Sequence, residues 1–555
     1  MKKIIVIAAL LFLFFYGHAQ DYKILLQTPD LKTIAEISKL VSIDHINKDS
    51  IVAFANQEEY NNFKSLNIKH SVISLDFKKQ NKSKSTDNFV AQNQEDLKNY
   101  TKYPSYQLYL QIMEDFAKQN SDICKLVTIG QSVEGRQILA LKISDNVDID
   151  EASEPEFFYS SSMHGDEICG YVLMLKLIDY IIKNYNNNTQ IYNLVNNAQI
   201  YINPLANPDG TYAGGDDNVS NSTRYNANNI DLNRNFPTID KTLAKQSLQP
   251  ETQAMIDFAQ NHRFSLSANL HGGDEVLNYP WDSFYNYELP LPDEDFFVEI
   301  CQNYIDTARA IDPTYMKTVS ENGYIFGSEW YKVTGGRQDY MNFYHRCKEI
   351  TIELSRQKVL DTAKIENYWQ KNQQSLINFA SQCLQGVKGK VTDIYGKELE
   401  ASIIIGCADN EYSHTFSRDS GFYFRPLPQG KFFLIYAVAD GYQTDSATIT
   451  TIKDSLITLN FCLQPGQSDE PICAANEIQK DLTEFSTFFS NGKITIKSPT
   501  IINNCQLITT DGKIVYQISP QKENFDIPVY NLKTGIYIVR ALCGEKKYTR
   551  KIFVK

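Results

Sequence analysis

The sequence has 555 residues, of which 42% are hydrophobic and 22% charged, with a formal net charge of −12. That composition speaks for a globular chain of about three to five domains and against disorder. The acidic balance and the lack of any long Lys/Arg run argue against a nucleic-acid-binding role.

Lys2 and Lys3 precede an apolar run over 4–15, and Gly17-His18-Ala19 places small residues before a cut. Residues 1–19 therefore read as a secretory signal peptide. The run is short for a membrane span, and the apolar stretch 171–182 carries Lys176 and Asp179. No transmembrane segment is expected in the mature chain. Ten cysteines fit an exported protein but are too sparse for a disulfide scaffold; Cys407 and Cys462 are the candidate pair.

Residues 20–78 read as a small α/β unit, with weak alternation at 22–27, helical signals at 34–40 and 58–66, and a strand at 50–55. Residues 79–96 are rich in Lys, Asn, Ser and Gln and read as a linker. A small exported module followed by an exposed linker suggests a removable pro-segment that covers the cleft of the domain it precedes. A permanent accessory domain is the alternative.

Residues 97–384 alternate strand-like and helical signals, which argues for α/β. The stretch 108–118 is amphipathic, and 171–182 is a core-facing helix. Strands are expected at 138–143, 157–161, 199–203, 265–270 and 349–354. After residue 384, short β-patterned runs are separated by Gly and Asp turns. Residues 385–465 read as a β-sandwich, 466–480 as a linker and 481–555 as a last β domain, with strands at 493–497, 505–509, 513–518, 535–542 and 547–554.

Of eight histidines, four fall in the α/β region: His164, His262, His271 and His345. Neither H-E-x-x-H nor G-x-S-x-G occurs. His164 and Glu167 stand three residues apart at the end of a strand, and His271 ends another strand ahead of Gly272-Gly273. Two imidazoles and a carboxylate leave one position of tetrahedral zinc open, as a hydrolytic site requires. The H-x-x-E spacing alone is equally that of a surface turn.

Several stretches together carry a resemblance. They are IGQSVEGR at 129–136, MHGDE at 163–167, NPLANPDG at 203–210, RYNANNIDLNRNFP at 224–237, SANLHGGDEVLNYPWD at 267–282, WYKVTGGRQD at 330–339 and EITIELS at 349–355. In this order they resemble the zinc metallocarboxypeptidase family, specifically its regulatory (N/E-type) branch, over roughly 97–384. The resemblance implies one Zn²⁺ per catalytic domain, held by His164, Glu167 and His271. It implies that Asp231 orients His164, a task suited to a carboxylate on the far ring nitrogen. Glu353, an acid in an apolar strand, would be the general base. Arg224 would polarise the scissile carbonyl. Asn233 and Arg234 would grip the substrate's free C-terminal carboxylate, a task suited to a guanidinium fork. Tyr331 would close on bound substrate.

In the regulatory branch the counterparts of Asp282 and Gln338 lie in the pocket for the terminal side chain, where an acid favours Lys or Arg. Arg337 departs from the branch pattern and would offset Asp282 if it pointed into that pocket. His262 and His345 match no ligand place and read as structural or surface groups.

The β-sandwich resembles the transthyretin-like domain that follows the catalytic unit in this branch, through GVKGKV at 386–391 and Gly441-Tyr442. The last residues resemble a type IX secretion sorting domain, through DGKIV at 511–515 and NLKTGIYIV at 531–539. The usual Pro-Asn-Pro opening is replaced by Ser490-Asn491-Gly492.

The fold expected is α/β: a carboxypeptidase-like mixed β-sheet flanked by helices, with a small N-terminal α/β pro-segment and two C-terminal β-sandwich domains. The function implied is a secreted or cell-surface peptidase acting on peptides and proteins with a free C-terminus, exported with the aid of type IX secretion machinery. Alternatives are the same site acting on cell-wall peptides or acyl amino acids, and a non-catalytic surface-binding protein.

Overall fold

In a computed structural model of the chain, the described residues are 21–75, 88–240, 247–467 and 486–554, less positions 29, 39, 47–48, 407, 491–492, 510–512, 530–531, 534 and 545. The expected signal peptide and Cys407 lie outside them. The chain forms two compact units: one runs to Ile405 and includes Tyr412–Gln467, and the other is Gly406–Glu411 with Ser468–Lys555.

The first unit opens with strands β1 (Asp21–Gln27), β2 (Ser42–Ile46), β3 (Ser50–Ala55) and β4 (His70–Leu75). They form an antiparallel sheet in the order β2-β3-β1-β4, with helices Leu31–Ser38 and Gln57–Lys64 between strands. The second helix starts on a capping box: Asn56 accepts from the Glu59 amide, and Glu59 accepts from the Asn56 amide. Ile24, Ile37, Ile43, Ile51 and Phe63 make the core of this small sheet. Its edge strand β2 carries few apolar residues and gives little strand signal of its own.

The residues next described already belong to the large domain. Val90 and Ala91 are buried, and β5 (Val90–Ala91) pairs with β6 (Tyr103–Pro104). The polar linker therefore gives way to packed structure before residue 96, because two apolar side chains interrupt its composition.

The central sheet has eight strands: β7 (Cys124–Gln131), β8 (Gln137–Ile143), β9 (Glu156–Ser161), β10 (Gln199–Asn203), β11 (Phe264–His271), β12 (Glu275–Tyr279), β13 (Tyr324–Phe326) and β14 (Lys348–Leu354). Their order is β13-β12-β14-β11-β9-β10-β8-β7. The middle of the sheet is parallel, where β14, β11, β9 and β10 run together, and the flanks include antiparallel pairs. These middle strands are buried at every position, which is why their sequences show little polar alternation.

Helices Tyr106–Gln119, Cys169–Asn184, Glu294–Arg309 and Ile365–Ser381 cover one face, packing on Phe157, Tyr159, Leu266, Ala268, Leu270, Ile350 and Ile352. On the other face helix Pro250–Asn261 packs on Phe158, Tyr201 and Phe264. Because side chains alternate along a strand, Ser267, Asn269 and His271 stand on the face away from the larger core. The observed sheet is the mixed, helix-flanked one expected from the sequence.

Residues 386–463 form two four-stranded sheets around Val387, Ile403, Tyr423 and Ile435. This sandwich is joined to the central domain through a buried ion group. Asp293 bonds Arg425 of the sandwich at 2.6 Å and Lys348 of β14 at 2.5 Å.

The second unit is built on one long strand, Lys493–Thr509, where the sequence suggested two. Its first half pairs with Ser486–Ser490 and Lys522–Pro528, and its second half with Ile514–Ile518 and Gly535–Cys543. Polar residues between the two apolar runs hide the continuity. Among the described residues no helix is long and apolar enough to cross a membrane.

Removing one member of a buried ion group strands the charge of the others. Arg425→Met is expected to lower the unfolding free energy of the first unit by about 3–5 kcal/mol, read by denaturant titration.

Candidate metal centre and its cleft

His164, Glu167 and His271 come together from two strand ends. The chain leaves β9, turns at Ser162, whose φ is 56°, and enters helix Cys169–Asn184 two residues beyond Glu167. Gly165 is required in this turn: a Cβ there would lie 2.3 Å from the backbone carbon of Gly210. His271 closes β11, beside β9.

The donor atoms are tightly grouped. His164 Nδ1 lies 2.9 Å from Glu167 Oε2, His271 Nδ1 lies 2.8 Å from the same oxygen, and the two Nδ1 atoms are 3.0 Å apart. All three residues are buried.

Protonation follows from the neighbours. Arg224 Nη1 donates to His164 Nδ1 at 3.2 Å, so the His164 proton sits on Nε2, 3.1 Å from Asp231 Oδ1. His271 Nε2 lies 2.7 Å from the Asn269 carboxamide. The atom nearest the ring is the Asn269 amide nitrogen Nδ2, and Asn269 Oδ1 has no partner; turned about, the carboxamide would accept from His271 Nε2–H and leave Nδ1 its lone pair for a metal. Burial pushes His271 down to about 4, which keeps the ring neutral. Two ring nitrogens and a carboxylate oxygen converging on one point are the donor types that a divalent cation takes. Zinc bonds of ~2.0–2.1 Å put neighbouring tetrahedral donors ~3.3 Å apart, close to the spacing seen. The donor set therefore fits zinc.

Asp231 ties this group to the loop after it. Its Oδ2 accepts from Arg224 Nε at 3.0 Å, and its Oδ1 accepts from the Asn233 amide at 2.9 Å. Burial alone would raise the Asp231 carboxyl, but Arg224 and His164 hold it well below the usual range.

Glu353 stands next to the donors because β11 and β14 pair in register, with His271 opposite Glu353. Glu353 is buried, and its Oε2 has no hydrogen-bond partner. Desolvation, with Glu167 and Asp274 nearby, pushes its pKa well above the ordinary carboxylate range.

The donors line a cavity with Glu353, Arg224, Asn233, Arg234, Tyr331 and Asp282. Arg234 Nη1 donates to the Asn233 carbonyl at 2.9 Å, while its buried Nε has no partner. Asp282 accepts from Gln338 Nε2 at 2.9 Å, and its amide donates to Asp339 Oδ1 at 2.8 Å. Gly327 makes room there, since a Cβ would lie 2.0 Å from Asp282 Oδ1. Desolvation and the charge of Asp339 push Asp282 well above its usual range.

Arg337 does not enter this pocket. Its Nη2 bonds Glu349 Oε2 at 2.9 Å, and its guanidinium lies over Phe158 at 4.9 Å. His262 pairs with Glu156 at 2.7 Å, and His345 contacts Tyr340 at 3.0 Å.

The structure adds residues that local sequence does not announce. Lys358 Nζ lies 3.3 Å from Glu167 Oε1, and Asp44 of β2 bonds the same ammonium. Asn269 backs His271. Neither Lys358 nor Asp44 sits in a pattern distinguishable from surface charge.

Comparisons with known proteins agree on the region. A family profile described as "Zinc carboxypeptidase" matches residues 109–375, and one described as "Secretion system C-terminal sorting domain" matches 490–555. Human carboxypeptidase D is 35% identical over 378 residues, covering 66% of this chain and 27% of that protein. This chain thus spans about a quarter of that relative's length. The human carboxypeptidase N catalytic chain is 32% identical over 375 residues, covering 62% of this chain and 81% of that one. Among solved structures, thrombin activatable fibrinolysis inhibitor aligns with a TM-score of 0.47 at 17% identity, covering 65% of this chain and 98% of that one.

If Asp231 orients His164, Asp231→Asn weakens metal retention by about 10–100-fold. Metal content after dialysis against graded chelator reads this directly; unchanged retention counts against the role.

Proposed function

The chain belongs to the zinc carboxypeptidase family, and from that premise we propose that it releases single residues, Lys or Arg by preference, from the C-terminal ends of exported peptides and proteins. Its sorting domain marks it for export.

Zinc held by His164, Glu167 and His271 would supply Lewis acidity and a water more acidic than bulk water. Glu353 is placed to take a proton from the attacking water and return it to the departing amine. Its raised pKa suits a carboxylate that must hold a proton between those two events. Arg224 donates hydrogen bonds to the carbonyl oxygen as negative charge grows there. Arg234, with Asn233 beside it, binds the terminal carboxylate. Tyr331 closes over the substrate.

The observation that carries the exopeptidase reading is the unsatisfied Arg234 Nε in the same cavity as the unsatisfied Glu353 Oε2. A buried guanidinium N–H and a buried carboxylate oxygen both lack partners, and the end of a peptide chain meets both needs. The preference for basic ends rests on Asp282, whose charge is not offset by Arg337. An internal peptide bond offers no carboxylate to Arg234, and an amidated end should be refused.

Three measurements test this. A C-terminal residue scan with a peptide library should favour Arg and Lys, and amidation should abolish cleavage. Glu353→Gln should lower kcat by about 10²–10⁴ while leaving metal content intact. A raised Asp282 pKa means the pocket is neutral at low pH, and a cationic end needs the ionised form. KM for peptides ending in Arg should therefore fall as pH rises, KM for those ending in Leu should change less, and Asp282→Asn should remove the difference. A flat KM ratio across pH would argue against Asp282 as the reader of basic ends.

A further inference from the structure

Arg337 departs from the branch pattern and stays out of the pocket, yet it is only 1% exposed and pairs with the fully buried Glu349. A buried ion pair is weak ground for stability, because desolvation offsets most of its attraction. Its place in the fold points to a different task. Arg337 opens helix Arg337–His345, and the first three residues of that helix each reach the cleft. The Arg337 amide donates to Asn233 Oδ1 at 2.9 Å. Gln338 Nε2 donates to Asp282 Oδ1 at 2.9 Å. Asp339 accepts from the Asp282 amide at 2.8 Å and from the Ser283 amide at 2.9 Å. Asn233 and Asp282 both line the cavity. A single helical turn therefore braces a residue assigned to the terminal carboxylate and the residue assigned to the terminal side chain.

That turn needs an anchor. The chain enters it through Gly335-Gly336, and the N-cap position Gly336 has no side chain to cap it. Gly335 has a φ of 77°, and a Cβ there would lie 2.6 Å from the Arg234 carbonyl oxygen, so only glycine fits where the chain presses on Arg234. Two glycines also leave the backbone more freedom than other residues would. The Arg337 side chain runs the opposite way, into the central sheet. Its Nη2 donates to Glu349 Oε2 at 2.9 Å, and its guanidinium lies 4.9 Å from the ring centroid of Phe158. Ser267 Oγ donates to the same Glu349 oxygen at 2.7 Å, and Asn342 Nδ2 donates to the Glu349 carbonyl at 2.9 Å. Phe158, Ser267 and Glu349 belong to β9, β11 and β14, the three strands whose ends present the metal donors and Glu353.

We propose that Arg337 is a positioning residue: its guanidinium pins the first turn of helix Arg337–His345 to these three strands, and so holds Asn233 and Asp282 in place relative to the metal donors. The inference rests on the peptidase reading of the cleft, but amide exchange tests the pin without any substrate. Loosening the turn weakens the grip on a peptide end and leaves the metal and Glu353 untouched, so the effect falls on KM more than on kcat.

The test uses three variants of the full-length chain: Arg337→Met, Arg337→Lys, and Arg337→Met combined with Glu349→Gln, which leaves no stranded charge. In Arg337→Met, amide exchange at Asp282 and Ser283 should speed up by about tenfold or more. KM for a peptide ending in Arg should rise by a similar factor, with kcat and metal content close to wild type. Arg337→Lys keeps the charge but loses the flat face on Phe158, and should fall between wild type and Arg337→Met. The double variant separates a pin from simple charge balance: it should keep both the faster exchange and the raised KM. Unchanged exchange at Asp282 and Ser283 in Arg337→Met, or a double variant that returns to wild-type values, would overturn the proposal. Should Arg337→Met fold poorly, the double variant alone decides by the same criterion. Faster exchange in the variants with no hydrolysis by any form would support the pin and count against the peptidase reading.

Discussion

The site depends on one register. Strands β11 and β14 run parallel and pair so that His271 faces Glu353. A slip of one residue would turn either side chain to the opposite face of the sheet. That pairing sets a metal donor and an unsatisfied carboxylate side by side at the strand ends, on the face away from the larger core. The other two donors come from the turn after β9, which β11 also pairs. Three adjacent strands therefore determine the site, and the loops supply what surrounds it.

Charge balance explains most of the remaining residues. Glu167, Asp231 and Glu353 are acids taken out of water, and such a group needs compensation. Arg224 serves two of them, bonding Asp231 at 3.0 Å and Glu167 at 3.3 Å. Lys358 serves Glu167 from the other side. Of these three acids, Glu353 keeps a buried oxygen without a partner, and it is the residue proposed for proton transfer. Deeper in the protein Arg337 is paired with Glu349, so it does not offset Asp282.

The N-terminal sheet fits the same accounting. Arg224 and Lys358 carry positive charge at the cleft wall, and Asp44 meets both.

Much was legible in the sequence. The buried strand Gln199–Asn203, the half-buried strand Ser50–Ala55 and the helix around 171–182 follow from local apolar patterns, because burial of one segment leaves its mark on that segment. The family resemblance of several stretches together singled out His164, Glu167 and His271, since the H-x-x-E spacing alone does not separate a metal site from a surface turn. Tertiary structure alone decided the rest. Whether Arg337 enters the pocket depends on Glu349, twelve residues away on another element, and whether Asp44 is a surface acid or a half-buried partner of the cleft depends on Arg224 and Lys358. Strand Ser42–Ile46 and the continuous strand Lys493–Thr509 were missed because partner strands, not their own composition, hold them. Local chemistry is written along the chain, whereas the partner that satisfies a buried charge lies far off in sequence and is fixed only when the chain has folded.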